Sequence, residues 1–525
     1  MEVPEAERAE SRRITWLLGG LIGLISAAAA VAVGELGAAV SVVLLGASAP
    51  SAPVVAVGEW AINWTPAWLK EVAIRNFGTH DKTALLTGVY VTIAATSALA
   101  GVVARRHLTI ATWLAGGFGL VGLIAAITRP AAGIGGWFPA LLAGGAAVLV
   151  LRWLTIRSQE EGVLDRPVSP AERRGFLLAL LGTGVGSLVG GYGSKAWLDS
   201  RYNAAPALAA LKLPQPAEPL PALPAAVHPN VPGLEPFFTP NTAFYRVDTA
   251  LSIPQVDPSN WMLRIHGMVD RPVEMSFAEL LRIPLEEHDL TLTCVSNPVG
   301  GPYCGNARWL GAPLAPLLRQ AGVQSGATQI LSTSIDGMTI GTPVEAVLDG
   351  RDAMLAVAMN GQTLPIEHGF PCRMLVPGLY GYVSATKWVV DLELTTFAAS
   401  AAYWVQQGWS QQAPVKTASR IDVPQDGASV NAGTVIVAGV AWATHRGVDA
   451  VEVQVDTGPW VPAVLAASDT PDTWRQWSYA WPATKGTHTL NVRCTDGTGT
   501  LQTAVVQGVI PNGASGYDSI EVTVS

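Results

Sequence analysis

One thiol and a downstream cluster of cations are the residues best suited to chemistry in this chain. Leu290-Thr291-Leu292-Thr293-Cys294-Val295-Ser296-Asn297 alternates apolar residues with threonine in strand period, so Leu290, Leu292 and Cys294 share a face and the cysteine reaches the exit loop. In isolation such a cysteine reads as a small buried hydrophobe. Its context differs: Leu364-Pro365, the run His368-Gly369-Phe370-Pro371-Cys372-Arg373 and the run Val376 to Trp388 set His368, Arg373 and Lys387 close in sequence to Gly378 and Gly381. Glycines let backbone N–H groups approach a phosphate, and the three basic side chains can pair with its charge. A large anionic ligand beside a reactive sulfur is the expected chemistry.

The elements that must position these groups form a mixed α and β region from Pro236 to about Thr396. Strands are expected over Trp261 to Val269, Leu290 to Cys294, Met374 to Val376 and Trp388 to Leu394. Ser276 with Glu279 three positions on predicts a capping box opening a short helix, and Leu314 to Ala321 predicts a second. Short elements with many loops point to an irregular α+β domain. After Arg420 the strands Thr434 to Ala441, Val451 to Asp456, Gln476 to Trp481 and Thr489 to Thr495 fall at sandwich spacing, which resembles an immunoglobulin-like β-sandwich. Trp442, Trp474, Trp477 and Trp481 are expected there as packing residues.

Composition sets a different first half. Apolar residues are 49% of the chain and charged residues 14%, against about 25% charged in globular proteins. The excess is bunched into uncharged runs, Ile14 to Gly34, Thr83 to Ala104, Leu108 to Thr128, Pro130 to Leu151 and Gly175 to Ser194. Each reaches the roughly 20 helical residues that cross a bilayer. Leu36 to Gly58, interrupted by Pro50 and Pro53, reads as re-entrant or interfacial. Arg12, Arg13, Arg105, Arg106, Arg152, Arg157, Arg173 and Arg174 all fall on the cytoplasmic side of a five-span topology, leaving Lys70, Arg75 and Lys82 outside. Everything after Ser194 is then extracytoplasmic. His80 and His107 are expected as interfacial residues, and carboxylates are missing from the runs, which argues against a transporter. The net charge of −8 with no long basic block excludes a nucleic-acid surface. Nine prolines between Pro206 and Pro236 mark a spacer or wrapping chain. The expected domains are 1–200 in the membrane with about five transmembrane helices, a linker at 201–236, the mixed α and β domain at 237–400 and the sandwich domain at 401–525.

Taken together, Phe244-Tyr245-Arg246-Val247-Asp248, the strand ending in Cys294, Leu364-Pro365 with His368-Gly369-Phe370-Pro371 and Arg373, Val376-Pro377-Gly378 with Lys387-Trp388, and Tyr403-Trp404-Val405-Gln406-Gln407 resemble the sulfite oxidase family of molybdenum enzymes. The likeness runs from about His228 to the C-terminus; the membrane half lies outside it. The resemblance implies a molybdenum-molybdopterin cofactor with Cys294 as the protein thiolate on the metal, and Arg246 as the active-site arginine that holds an anionic substrate. His368, Arg373 and Lys387 match cofactor-binding positions, and Tyr245, Asp248, Gly378, Tyr380, Gly381 and Ser384 join them. The implied reaction is two-electron redox coupled to oxygen-atom transfer. The terminal sandwich resembles that family's dimerisation domain and implies a homodimer.

The chain also departs from the pattern. Arg246-Val247-Asp248 stands where the family has Arg-Asn-His, and Trp409 stands where animal and plant sulfite oxidases have a tyrosine. Sulfite specificity is therefore in doubt, with a sulfur oxyanion or a sulfoxide as substrate. Cys304 competes with Cys294 as metal ligand, or pairs with Cys372 in a disulfide; Cys294 is preferred because a strand fixes direction better than a glycine loop. Cys372 and Cys494 are expected as buried thiols. With no C-x-x-C-H, no c-type haem is attached, so the electron partner is another protein or a membrane quinone. Glu172-Arg173-Arg174-Gly175-Phe176-Leu177 resembles a twin-arginine export signal on a span that stays as an anchor in the lipid. The rival readings are a non-enzymatic surface protein that retains the fold, and spans that act as a quinone-linked electron conduit.

Overall fold

A computed structural model describes residues 5–45, 52–66, 69, 81–129, 134–160, 170–201, 203–217 and 219–525. The chain divides into two units, one comprising residues 1–203, 249–254 and 335–337, the other the remainder. The expectations placed on Lys70, Arg75 and His80 lie outside the described residues.

In the first unit the apolar runs fold as α1 (Glu5–Leu45), α2 (Pro53–Trp64), α3 (Asp81–Ala104), α4 (Leu108–Ile127), α5 (Ile134–Glu160) and α6 (Pro170–Arg201). Five of these helices are long and apolar enough to cross a membrane, over Trp16–Val42, Lys82–Ala104, Leu108–Ile127, Gly135–Gln159 and Arg174–Trp197. The expected end of the first run at Gly34 is corrected: α1 continues through Glu35 to Leu45, because one glutamate does not break a helix. The stretch long and apolar enough to cross a membrane, Trp16–Val42, therefore includes Glu35, which the uncharged run Ile14 to Gly34 stops short of. The segment read as re-entrant is split between the end of α1 and α2, whose 12 residues are too few to cross. Small residues set the helix packing: a Cβ at Gly23 would overlap the Ser97 carbonyl, and one at Gly37 would lie 3.1 Å from Pro139.

In the second unit ten strands precede Thr396: β1 (Met262–Gly267), β2 (Val273–Ser276), β3 (Glu286–Thr293), β4 (Cys304–Pro313), β5 (Gln329–Ser334), β6 (Thr339–Pro343), β7 (Met354–Met359), β8 (Gln362–Thr363), β9 (Arg373–Leu375) and β10 (Val389–Thr395). They form two sheets, β2-β1-β10-β5-β6 and β3-β4-β7-β8, with β9 on β7. The capping box at Ser276 and Glu279 forms at the helix Phe277–Leu280, and the expected helix Leu314–Ala321 ends on Gly322 in the left-handed region. Leu290, Leu292, Ala307, Trp309, Met354 and Ala356 pack as one core with Phe244 beneath the strand exit.

From Ala418 onward a four-stranded and a five-stranded sheet share one core built on Val437, Val451, Trp477, Leu490 and Val522. The proline-rich segment wraps rather than spaces: Ala217 N–H bonds the Leu285 carbonyl, Ala467 N–H the Ala226 carbonyl, and Trp474 Nε1 donates to Phe237 O at 3.0 Å. These bonds satisfy a chain whose prolines cannot build a ladder of their own.

Candidate functional site

The site begins where β3 ends. Glu286–Thr293 pairs antiparallel with β4, Thr293 opposite Cys304, and the Cys294 N–H donates to Tyr303 O at 2.9 Å. Successive side chains alternate faces. Cys304 therefore shares the Thr293 face, its Sγ 3.4 Å from Thr293 Oγ1, while Cys294 turns to the Leu290 and Leu292 side. Cys294 is half-buried and the other three cysteines are buried; all four are free, so Cys304 and Cys372 form no disulfide. Burial pushes the Cys304 thiol up to about 12. Burial also raises the Cys294 thiol, but the Ser296 hydroxyl at 2.9 Å and the nearby Lys387 ammonium act against it. Each thiolate has a cation in its favour, Lys387 for Cys294 and Arg420 for Cys304, but only Cys294 is open enough to meet a ligand.

The loop before β1 brings Phe244, Tyr245, Arg246 and Asp248 to the same region. Asn306 anchors it, accepting Thr239 N–H at its carbonyl and donating to Phe237 O at 3.0 Å. Phe244 stacks on Tyr245 at 5.3 Å and meets Trp309 and His368 edge-on at 5.9 and 5.6 Å. Gly305 permits this, since a Cβ there would sit 2.8 Å from the Phe244 ring. Burial first, then the Cys294 and Cys304 sulfurs, hold the Tyr245 phenol well above its ordinary value, so it stays protonated.

Asp248 joins two cations. Arg246 Nε donates to its Oδ2 at 2.8 Å and Nη2 to its Oδ1 at 3.3 Å, while Lys387 Nζ donates to Oδ2 at 2.5 Å. Lys387 also donates to Glu367 O and lies over the Trp388 ring. Burial draws its ammonium down to about 8, against the pull of Asp248. Arg373 is 6% exposed, donates from Nη1 to His368 O at 3.2 Å and lies over Trp309, yet its buried Nε has no hydrogen-bond partner among the described residues. Burial lowers it to about 10. His368 is lowered to about 4 by burial and by the Arg373 and Lys387 charges, so the ring is neutral; its Nε2 lies 3.2 Å from Asn241 O.

The structure thus gathers Cys294, Tyr245, Arg246, Asp248, His368, Arg373 and Lys387. Gly381 borders the group, with Thr293 O and the Tyr245 hydroxyl 3.8 and 4.0 Å from where its Cβ would be. Three expected positions face elsewhere. Gly378, at φ +81°, fits closely under His445 and Arg351, where a Cβ would meet His445 at 2.8 Å. The Tyr380 hydroxyl packs against Gly513 and accepts the Lys416 N–H. Ser384 is fully buried and donates to Leu379 O and Tyr380 O at 3.0 Å, closing its own turn. Trp409 packs against Tyr382 and Trp404.

Sequence reasoning missed a second cluster on β3. His288 Nε2 lies 3.0 Å from Asp472 Oδ2 and its Nδ1 3.3 Å from Asp352 Oδ2, while His445 Nδ1 lies 3.2 Å from Asp472 Oδ1. Burial opposes charge on His288, yet the two carboxylates hold its value above the usual one; Asp472 is held near 2 by its histidines against burial. Asn241 and Trp309 were given no role from sequence, and Phe244 was read only as part of the run that carries the family resemblance, not as the ring packed between Tyr245, Trp309 and His368.

A buried arginine with an unpaired N–H, a buried lysine and a neutral buried histidine beside a half-buried thiol suit an anionic group that also takes a sulfur ligand. The family model of the oxidoreductase molybdopterin binding domain matches residues 250–404. Chicken sulfite oxidase is 32% identical over 50% of this chain and 66% of its own length, and human mitochondrial sulfite oxidase 29% identical over 50% and 56%. An uncharacterized oxidoreductase of Bacillus subtilis, YuiH, is 31% identical over 29% of this chain and 74% of its own length. The chain spans less than two thirds of the length of either sulfite oxidase.

Proposed function

The chain belongs to the sulfite oxidase family of molybdopterin-dependent oxidoreductases, whose cofactor is molybdenum-molybdopterin, and from that premise we propose a membrane-anchored enzyme acting on a small oxygen-bearing substrate outside the cytoplasm. The observation that carries the proposal is the unpaired, buried Nε of Arg373 in a cationic cluster beside the Cys294 thiol. Leaving such a donor unmade destabilises a chain by about 1 to 3 kcal/mol, a cost that a bound anion removes.

When bound, the cofactor supplies a two-electron redox change coupled to oxygen-atom transfer. In the proposed arrangement Cys294 holds the metal through its sulfur, and Arg373, Lys387 and His368 hold the anionic parts of the cofactor. Neutral His368 can donate one N–H and accept at its other nitrogen. Arg246 faces the substrate and offsets charge on the oxygen being moved. The protonated Tyr245 phenol supplies a hydroxyl that can both donate and accept, where the Trp409 indole can only donate. Gly378, Tyr380 and Ser384 support this pocket through their loop.

The same proposal covers the rest of the chain. The five apolar helices anchor it, with the N-terminus inside and the second unit outside. The two C-terminal sheets form an immunoglobulin-like sandwich suited to a homodimer. A separate redox protein or a quinone takes or gives electrons. The test is metal analysis of the purified full chain. Wild type and Cys304→Ser should carry about one molybdenum each, and Cys294→Ser only traces at unchanged helicity. Molybdenum retained by Cys294→Ser would overturn the assignment.

A further inference from the structure

We propose that Asp248 restricts the substrate to molecules carrying no more than one negative charge, because its carboxylate already occupies one edge of the guanidinium that the substrate approaches. The inference rests on the proposed reading of Arg246 as the substrate-facing arginine, and it narrows the class of substrate.

An arginine recognises an oxyanion best with two parallel N–H donors. On Arg246 the Nε and Nη2 edge is taken by the two oxygens of Asp248, at 2.8 and 3.3 Å. Among the described residues Nη1 carries no hydrogen bond, and the Arg246 side chain is 32% exposed where Asp248 is 7% exposed. A substrate therefore meets the outer end of the guanidinium, with a buried carboxylate directly behind it.

Asp248 cannot swing aside cheaply. Its Oδ2 also accepts from Lys387, whose side chain is 10% exposed, so withdrawing the carboxylate would strand a buried ammonium. Arg246 and Asp248 cancel as an ion pair, while Lys387 and Arg373 are the cations assigned to the anionic cofactor. A neutral or singly charged substrate adds little negative charge beside the Asp248 carboxylate, whereas a dianion adds two charges that no uncommitted cation offsets. Repulsion of like charges at a few ångströms is enough for about an order of magnitude in affinity.

Three tetrahedral sulfur compounds of similar size separate charge from shape: dimethyl sulfone (neutral), methanesulfonate (one charge) and sulfate (two charges). Their binding to the full-length holoenzyme is measured by calorimetric titration at constant ionic strength, with molybdenum content determined in every sample. Wild type should bind the sulfone and methanesulfonate at least about tenfold more tightly than sulfate. Asp248→Asn should tighten sulfate about tenfold while moving the sulfone less than about twofold, and Asp248→Glu should keep the wild-type order. Sulfate binding wild type as tightly as methanesulfonate would overturn the inference, as would an Asp248→Asn protein loaded with molybdenum whose sulfate affinity is unchanged. Where Asp248→Asn loses the cofactor, the wild-type series decides alone. Wild type without molybdenum would instead break the functional reading beneath it.

Discussion

Two polar clusters lie along a single strand and are built on opposite terms. Near the start of β3, His288 has a carboxylate at each ring nitrogen and Asp472 a histidine at each oxygen. Past its end, Arg373 keeps an unpaired buried Nε, Lys387 is drawn down toward neutrality, and Cys294 lies half-buried. Buried polar groups that are mutually satisfied hold a fold together, and buried groups left short of partners are held ready for something else. The first cluster joins β3 to the turn Thr470–Trp474: Thr291 N–H bonds Asp472 O, Trp474 N–H bonds Thr291 Oγ1 at 2.7 Å, and Thr470 Oγ1 donates to Asp289 O. That turn covers the free edge of β3 and steadies the strand that presents the thiol.

The contrast is sharpest in stability. Asp472→Asn should destabilise the chain by about 3 kcal/mol in chemical denaturation, since it leaves buried His288 with only the exposed Asp352 carboxylate and takes the carboxylate from His445. The pH dependence carries the same signature. His288 is raised, so its contribution is complete below about 6.5 and is lost as pH rises through the higher folded value. Asp472 is lowered, so its contribution is present above about 3.8 and is lost as pH falls through about 2. Wild type should therefore gain stability over Asp472→Asn as pH falls from 8 to 6. A constant difference across that range would sink the ion-pair reading.

The cofactor side should respond with the other sign. In chain prepared without cofactor, Arg373→Met should stabilise by about 1 to 2 kcal/mol, because a buried cation with an unmet donor gives way to an apolar side chain of similar length. In the loaded enzyme the same change should lower molybdenum content. Denaturation midpoints of both cofactor-free proteins decide it; a loss of stability in Arg373→Met would mean that His368 O and Trp309 already satisfy the arginine.

The two clusters also differ in how far they were legible. The second half of the cationic group is local: His368, Arg373 and Lys387 fall within one short run, and period-two alternation delivers Cys294 to the strand exit. His288 and Asp472 are 184 residues apart and meet only through the approach of a loop to a sheet edge, which no local pattern encodes. The five helices long and apolar enough to cross a membrane were legible from length and composition, whereas the run of α1 past Gly34 was hidden by reading Glu35 as the end of the apolar stretch. Gly378 read as a phosphate cradle because a glycine lets backbone N–H groups approach an anion; its left-handed backbone and the close approach of His445 give the same glycine a packing role.

Ser384 offers the smallest and most discriminating test. The family resemblance gives it to the cofactor, yet its hydroxyl is fully buried and turned to Leu379 O and Tyr380 O. A hydroxyl has one proton and can serve only one of these carbonyls at a time. Ser384→Ala should therefore cost about 1 kcal/mol of stability, the worth of one such bond, and leave molybdenum content at the wild-type level. Cofactor loss with unchanged stability would reverse the assignment and place the turn Gly381–Ser384 with the anion-holding cluster, where its exposure to ligand rather than its self-closure would decide its conformation.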